Sequence, residues 1–193
     1  MRQPSTRTGM RNRVPRRHVI ALPAATALLV AGCTGIPSGT QPVTGFELER
    51  YLGQWYEIAR LDHSFERGLD CVTADYSLRD DDGVRVINRG YNLEDQAWDE
   101  AEGRAYFIGE EDVGRLKVSF FGPFFGGYNI LELDDDYQYA LVAGPNRDYL
   151  WILARDPELD DATYRRLRDT AEELDFAVDE LIEVEQGEAC PAR

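Results

Sequence analysis

Short apolar and aromatic segments recur along most of this chain, and their regular spacing is the strongest constraint on its fold. The stretches between them are rich in turn-forming residues, for example Asp80-Asp81-Asp82-Gly83 and Gly122-Pro123. Short segments separated by tight turns predict antiparallel strands in a sandwich or a barrel. Eight strands joined by hairpins can close into a barrel that holds one small ligand. The predicted strands are 54–61, 71–79, 84–91, 101–108, 115–121, 127–134, 137–144 and 148–155.

One helix is predicted after these strands, which gives an all-β protein with a single C-terminal helix. Its apolar positions share one face at helical spacing, so the helix should lie against the barrel wall. Asp160 and Asp161 are alternative N-caps. A last short strand near 181–184 would return to the sheet. The apolar positions of the helix are Tyr164, Leu167, Ala171 and Leu174.

The first 32 residues are predicted to be an export signal peptide. They hold six arginines and no acidic residue, and their apolar run over 19–31 is too short for an ordinary membrane-spanning helix. The run ends in Leu29-Val30-Ala31-Gly32-Cys33, which resembles the lipobox of bacterial lipoproteins. This resemblance implies cleavage before Cys33 and lipidation of its thiol. Because Thr34 follows, and not an aspartate, it also implies an anchor in the outer membrane, on the periplasmic side.

Residues 33–45 follow the signal peptide as the lipidated N-terminus and its connection to the folded domain. Their Gly, Pro, Ser and Thr content predicts a flexible tether. The pair Arg16-Arg17 matches a twin-arginine export signal only in part, so the export route stays open between that pathway and the general one.

The charge balance excludes a nucleic-acid partner. The whole chain has 36 acidic and 21 basic residues and a formal charge of −15. Without the six arginines of the signal peptide, 15 basic residues face 36 acidic ones, a formal charge of −21. A surface this acidic repels polyanions and anionic membranes. We interpret the acidity as a solvated outer face.

Three short motifs carry a resemblance to a known family. Gly53-Gln54-Trp55 resembles the Gly-x-Trp signature that opens lipocalins, Asp136-Tyr137 resembles their second motif, and Trp151 to Arg155 resembles the third. The segments Phe65 to Gly68 and 118–124 narrow the resemblance to bacterial outer-membrane lipocalins and their apolipoprotein D-like relatives. It covers residues 46–186 and leaves 187–193 as a tail. The family implies an eight-stranded up-and-down barrel, with Trp55 at the closed end and Arg155 stacked on it.

The ligand site is expected inside the barrel, where alternation along each strand decides which side chains face inward. Placing Trp55 inward also places Glu57 inward, and the register taken from the family extends this to the other strands. The interior should then be nearly uncharged, with Asn88, Tyr128, Tyr149 and Trp151 nearer the mouth and 62–70 covering it. A barrel filled by its own side chains is the alternative. The predicted ligand-binding residues are Ala59, Ala74, Tyr76, Val86, Asn88, Val118, Phe120, Tyr128, Ile130, Val142, Tyr149 and Trp151.

The resemblance implies a fatty acid or lysophospholipid as the ligand and lipid storage, scavenging or transport in the envelope as the role. Apolipoprotein D-like relatives join the C-terminus to the second strand, which implies a disulfide between Cys71 and Cys190. Two free thiols are the alternative. A homodimer is left open.

Two other functions remain as alternatives: an envelope enzyme on a lipocalin scaffold, and a structural or adhesive lipoprotein with a filled barrel. His63 is the one histidine after the signal peptide, and no Gly-x-Ser-x-Gly elbow accompanies it. No HExxH or CxxC pattern points to a metal, so neither a metal nor a cofactor is predicted.

Overall fold

The computed structural model describes residues 34–192, so the predicted lipidation site, Cys33, lies outside the described residues. The helices are α1 (Leu48–Tyr51) and α2 (Asp161–Glu173), and short 3-10 turns follow at Val178–Glu180 and Gly187–Ala189. The strands are β1 (Gly53–Arg60), β2 (Leu69–Leu78), β3 (Val84–Asn92), β4 (Ala97–Phe107), β5 (Arg115–Ser119), β6 (Gly126–Leu133), β7 (Tyr139–Ala143), β8 (Leu150–Ala154) and β9 (Ile182–Glu183).

Strands β1 to β8 close into one antiparallel barrel. Each strand pairs with the next in the sequence, and β8 pairs back onto β1. The predicted eight-stranded barrel with one C-terminal helix is therefore confirmed. All strands and both apolar clusters fall within residues 34–192, so this part of the chain contains its own core.

Strand β4 begins four residues earlier than predicted. Residues 97–100 pair with β3, and their side chains are exposed except for a half-buried Trp98. Glu100 accepts a hydrogen bond from Arg89 at 2.7 Å across the ladder. Apolar alternation is absent here because most side chains in this part of the strand are exposed to solvent. Only the backbone pairing with β3 therefore identifies residues 97–100 as part of β4.

Helix α2 packs on the outer wall of the barrel, as its apolar face predicts. Asp160 is the N-cap, since its carboxylate accepts hydrogen bonds from the backbone N–H groups of Ala162 and Thr163 at 3.1 and 3.0 Å. Leu167 and Ala171 are fully buried against the barrel. Within the described residues no helix is long and apolar enough to cross a membrane. The predicted ninth strand is present as β9, paired with β1.

A bulge in β1 turns Ala59 away from the interior, contrary to the prediction. The pairing of β1 with β8 shifts register between Glu57 and Ala59. An extra residue in a strand reverses the alternation beyond it. Ala59 is therefore buried on the outer wall among the residues that pack against α2, and it cannot line a cavity inside the barrel. Arg60, which pairs with the inward-facing Trp151, points inward instead.

The end of the barrel where β1 begins is closed around Trp55. This indole is fully buried, and the Arg155 guanidinium lies 4.0 Å from its ring centroid, in the predicted stacking arrangement. Gly53 has a φ of +90°, which side chains disfavour, and Arg155 passes 3.5 Å from where a Cβ would stand. Arg155 also donates hydrogen bonds to the carbonyl oxygens of Arg50, Leu52, Gln54 and Tyr137.

The second motif lies in the turn before β7, at the same closed end. Tyr137 is buried with a φ of 61°, and its hydroxyl accepts a hydrogen bond from the Glu47 backbone N–H at 2.8 Å. Asp136 is exposed in the turn. The buried member of this motif therefore joins the turn to the segment that leads into α1.

Residues 34–44, predicted to be part of a flexible tether, lie along the barrel wall. The Val43 N–H donates to Ile130 O at 2.9 Å, and Thr44 bridges Val113. Nearer the N-terminus, the Asn129 side chain donates to Gly35 O at 3.0 Å. Several backbone groups of this segment are hydrogen-bonded to β6 and its neighbours, so the segment belongs to the folded unit.

The C-terminal segment 182–190 crosses the outside of the barrel over β1 and β2. The disulfide between Cys71 and Cys190 is present, with a Cα–Cα distance of 5.7 Å. The Gln186 side chain donates to the carbonyl oxygens of Glu57 and Val72, both at 2.8 Å. The direct register of β1 with β2 ends at Tyr56, so this segment ties the two strands together beyond that point.

Candidate functional site

Most of the predicted ligand-binding residues face the barrel interior. Tyr76, Val86, Ile130 and Val142 are buried there, and Ala74, Val118, Phe120, Tyr128 and Trp151 are half-buried around them. Asn88 pairs with Ala74 across the β2–β3 ladder, which places it on the same face. Ala59 is the exception described above. Tyr149 lies in the turn before β8, at the rim.

The interior is accessible from the end opposite Trp55. Ala74, Val118 and Trp151 point inward yet remain half-buried, and Ala101, which pairs with Asn88, is exposed. Because these side chains face the inside of a closed barrel, the surface that solvent still reaches on them lies within it. These side chains are therefore less completely packed than the fully buried Trp55 at the closed end.

The floor of this space is a chain of three tyrosine hydroxyls. Tyr128 lies 2.7 Å from the hydroxyl of Tyr51 and 3.0 Å from that of Tyr76. Tyr51 packs on Trp55 with 4.6 Å between ring centroids. The Tyr128 hydroxyl therefore points to the closed end, and its predicted place nearer the mouth is wrong. Burial raises the pKa of all three hydroxyls, so they remain neutral hydrogen-bonding groups.

A group of polar side chains, here called the mouth cluster, lies at the open end: Glu57, Arg60, His63, Glu66 and Trp151. Arg60 donates to the Glu57 carboxylate at 2.8 Å, and both side chains are only 4% exposed. The second Arg60 nitrogen donates to the carbonyl oxygens of Glu66 and Leu69 at 3.1 and 2.8 Å. These bonds hold the loop 61–68 over the mouth, as the position of this loop predicts.

Glu66 reaches back from this loop to strand β8. Its carboxylate accepts a hydrogen bond from the Trp151 indole N–H at 3.1 Å and lies 3.2 Å from Nε2 of His63. Both ring nitrogens of His63 are buried without a well-aligned hydrogen bond to the described residues. The loop is therefore fastened to the barrel by one charged partner, Arg60 of β1, and one aromatic partner, Trp151 of β8.

The two carboxyl groups of the mouth cluster have opposite pKa shifts. Burial, and then the charge of Glu66, raise the pKa of Glu57 well above its ordinary value, although Arg60 opposes this. Burial also disfavours ionised Glu66, but the nearby His63 and the hydrogen bond from the Trp151 N–H hold the pKa of Glu66 below its ordinary value. Glu66 is thus the ionised carboxylate of the pair, and Glu57 binds a proton more readily.

Three aromatic side chains at the rim, those of Phe65, Tyr149 and Trp151, lie around the His63 ring, and the four together are here called the ring cluster. The His63 ring centroid lies 5.8, 5.6 and 5.1 Å from those of Phe65, Tyr149 and Trp151. Phe65 is 68% exposed. Tyr149 and Trp151 therefore lie nearer the mouth, as predicted.

The charged mouth is what the sequence reasoning missed. An interior that is nearly uncharged was expected, and Arg60 and Glu66 overturn that expectation. The bulge brings Arg60 inward, and Glu66 enters from a loop to which strand alternation does not apply. The one available signal was Glu57, an acid at a predicted inward position, which needs a partner when buried.

A depression of about 200 Å³ lies on the outer wall beside the disulfide, lined by residues such as Tyr56, Trp98 and Gln186. Over residues 34–192, His, Cys, Asp and Glu form no group of three that could hold a metal ion. The barrel interior remains the place where apolar and polar groups converge.

Known proteins are similar to this chain in sequence and in fold. A family model described as a lipocalin-like domain matches residues 46–186. The outer membrane lipoprotein Blc of Citrobacter freundii is 54% identical over 162 residues, which cover 83% of this chain and 92% of that protein. Apolipoprotein D of Rattus norvegicus is 34% identical over 144 residues, or 68% of this chain and 74% of that protein.

Among solved structures, insecticyanin from the tobacco hornworm Manduca sexta superposes with a TM-score of 0.65 at 21% identity. The match covers 81% of this chain and 89% of insecticyanin. At this identity the likeness concerns the fold, which is the same closed barrel.

Proposed function

We propose that this chain, which belongs to the lipocalin family, is an outer-membrane lipoprotein that binds a single-chain acyl lipid inside its barrel. Fatty acids and lysophospholipids are the proposed ligands. Storage, scavenging or transport of such lipids in the cell envelope is the proposed role. The relatives that carry the name outer membrane lipoprotein Blc support the location.

The observation that carries the ligand class is the division of the barrel interior along its axis. Apolar side chains of β5 to β8 and of the residue after β5, among them Val118, Phe120 and Val142, line the interior between the floor and the mouth. The charged side chains of the interior lie at the mouth, around Arg60 and Glu66, whereas the tyrosine hydroxyls of the floor are bonded to one another. An interior whose charged groups stand at its opening fits a hydrocarbon chain with one polar head.

The size of the hydrophobic contribution is sufficient for useful affinity. A chain of roughly sixteen carbons buried at about 0.8 kcal/mol per methylene contributes about 12 kcal/mol before losses. Lost translation and chain freedom remove much of this, which leaves an expected Kd of about 1 μM or lower.

The proposed anchor is Cys33, directly before the first described residue. Thr34 and Gly35 lie against the barrel, where Arg115 and Asn129 contact their carbonyl oxygens. Since consecutive Cα atoms are about 3.8 Å apart, a lipid on Cys33 would hold the barrel close to the membrane surface.

We propose a carrier rather than an enzyme. His63, the one histidine after the signal peptide, is packed between aromatic rings and Glu66. The buried acid Glu57 is paired with Arg60. These contacts serve to hold the loop 61–68 in place, and we assign no chemical step to them.

The test uses the mature chain with Cys33→Ser, which leaves residues 34–192 and their core intact. Mass spectrometry of lipids extracted from detergent-free protein, followed by titration with a fluorescent fatty acid, should show one bound acyl lipid. Trp151→Ala should weaken binding about tenfold, because it removes an indole from the cavity. Trp98→Ala, on the outer wall, is the matched control and should bind normally. Absence of both extracted lipid and fatty-acid binding would overturn the proposal.

A further inference from the structure

The ring cluster differs from the rest of the cavity lining in what it can bind. Its other three side chains, the phenyl of Phe65, the phenol of Tyr149 and the indole of Trp151, stand at the rim with centroids about 6 Å apart between neighbours (6.3 and 6.2 Å). The Glu66 carboxylate accepts a hydrogen bond from the Trp151 N–H and lies 3.2 Å from His63, the ring that all three contact. A cation at the position of His63 would be attracted by the ring faces and by the carboxylate, because both are negative.

The charges of the mouth cluster leave this carboxylate without a permanent positive partner. Arg60 pairs with Glu57, and its second terminal nitrogen donates to backbone carbonyls. In the described part of the chain no lysine or arginine lies within ion-pair distance of Glu66. His63 is its neighbour, and a histidine is charged only when protonated.

The His63 ring occupies the space that a small cation would take. It is 6% exposed, contacts all three rings, and lies 3.2 Å from the Glu66 carboxylate. Its nitrogens nevertheless have no well-aligned hydrogen bond to the described residues. The ring is therefore held by packing and by the adjacent carboxylate, with no directional hydrogen bond from its nitrogens. Phe65 is mostly exposed, so the space opens toward the mouth.

We propose that Phe65, Tyr149, Trp151 and Glu66 form a subsite for the ammonium group of a lipid head, a place that the His63 ring fills in this structure. The inference rests on the proposed function, since the acyl chain would lie in the barrel below. It adds that the preferred ligand carries a positive charge on its head. A free fatty acid is disfavoured, because its carboxylate would meet Glu66 while the Arg60 guanidinium is already paired.

The experiment compares three lipids that share one sixteen-carbon acyl chain. Lysophosphatidylcholine and lysophosphatidylglycerol both carry a phosphodiester, but only the first carries an ammonium group. The corresponding monoacylglycerol is uncharged. The protein is the mature chain with Cys33→Ser, and Kd is measured by displacement of a fluorescent fatty acid. We expect lysophosphatidylcholine to bind about 3- to 30-fold more tightly than lysophosphatidylglycerol.

Three variants assign this preference to the subsite. Glu66→Gln and Phe65→Leu should each reduce the preference severalfold, while monoacylglycerol binding reports that the cavity is intact. His63→Ala should strengthen lysophosphatidylcholine binding severalfold, because the competing ring is gone. Phe121→Leu is the matched control: Phe121 is 73% exposed in the loop before β6, outside the ring cluster, and its replacement should leave the preference unchanged.

The outcomes separate the two proposals. If all three lipids bind equally well, or if the preference survives Glu66→Gln and Phe65→Leu, the ammonium subsite is wrong while the lipid carrier stands. If none of the three lipids binds, the carrier itself is wrong, and the subsite falls with it.

Discussion

The two ends of the barrel are built on different principles. At the closed end, Trp55 lies in β1 and Arg155 directly follows β8, and each donates hydrogen bonds to backbone carbonyl oxygens. At the mouth, Glu66 comes from a loop and Arg60 from beyond a strand bulge. The closed end is therefore a stable plug, whereas the mouth is assembled from charged groups of a loop and a bulged strand.

The largest expected effect breaks the closed end. Trp55→Ala should reduce the free energy of unfolding by about 3–5 kcal/mol, because a fully buried indole is replaced by a cavity and Arg155 loses its stacking partner. Guanidinium denaturation measures this. Trp98 is half-buried on the outer wall, so Trp98→Ala should reduce the free energy of unfolding by less than half as much. Equal losses in the two variants would contradict the distinction between plug and wall.

A smaller effect is expected on the outside of the mouth end. Replacing Cys71 and Cys190 together with serine should cost about 2–4 kcal/mol, since the bond closes a long loop in the unfolded chain. Hydrogen exchange should become faster at residues 184–186 and 69–72, and should remain slow at 51–55. Faster exchange at both ends alike would mean that the two ends do not open independently.

The smallest effect concerns the two carboxyl groups of the mouth, Glu57 and Glu66. Their opposite pKa shifts should give stability an opposite dependence on pH. The raised pKa of Glu57 means that its contribution to stability is present below the unfolded value and is lost as pH rises through the folded value. Glu57→Gln should therefore gain stability relative to wild type as pH increases.

Glu66 should behave in the opposite sense. Its lowered pKa means that its contribution is present above the unfolded value and is lost as pH falls. Glu66→Gln should lose about 1–3 kcal/mol at pH 7, and this loss should shrink in acid. Urea denaturation from pH 2 to 8 measures both variants. Parallel pH profiles for the two would show that the carboxyl groups are not opposed.

The closed end could be predicted because its determinants are local. Gly53 and Trp55 stand in a short motif on β1, where alternation gives the side of the sheet directly, and Arg155 ends a motif that runs along β8. Strand β4 was predicted too short for a related reason, since the exposed Asp99 and Glu100 break the apolar pattern although their backbone pairs with β3. Alternation is informative only where one face of a strand is buried.

The mouth could not be predicted in the same way. One extra residue in β1 moved Ala59 to the outer wall and Arg60 to the interior. The direction of the Tyr128 hydroxyl was also missed, because it depends on Tyr51, a residue 77 positions away that reaches the floor from α1. Neither a bulge nor a distant hydrogen-bond partner leaves a periodic signal.

The sequence by itself determined the class of fold, the strand order and the plug, because turn residues, alternation and three motifs each specify backbone over short distances. It also indicated an export signal and a lipid-anchored cysteine. The tertiary structure alone decided that charged groups gather at the mouth and that residues 34–44 pack on the wall. These features arise from three-dimensional contacts, in which buried Glu57 is paired with Arg60, and Arg60 and Trp151 bind the loop at Glu66.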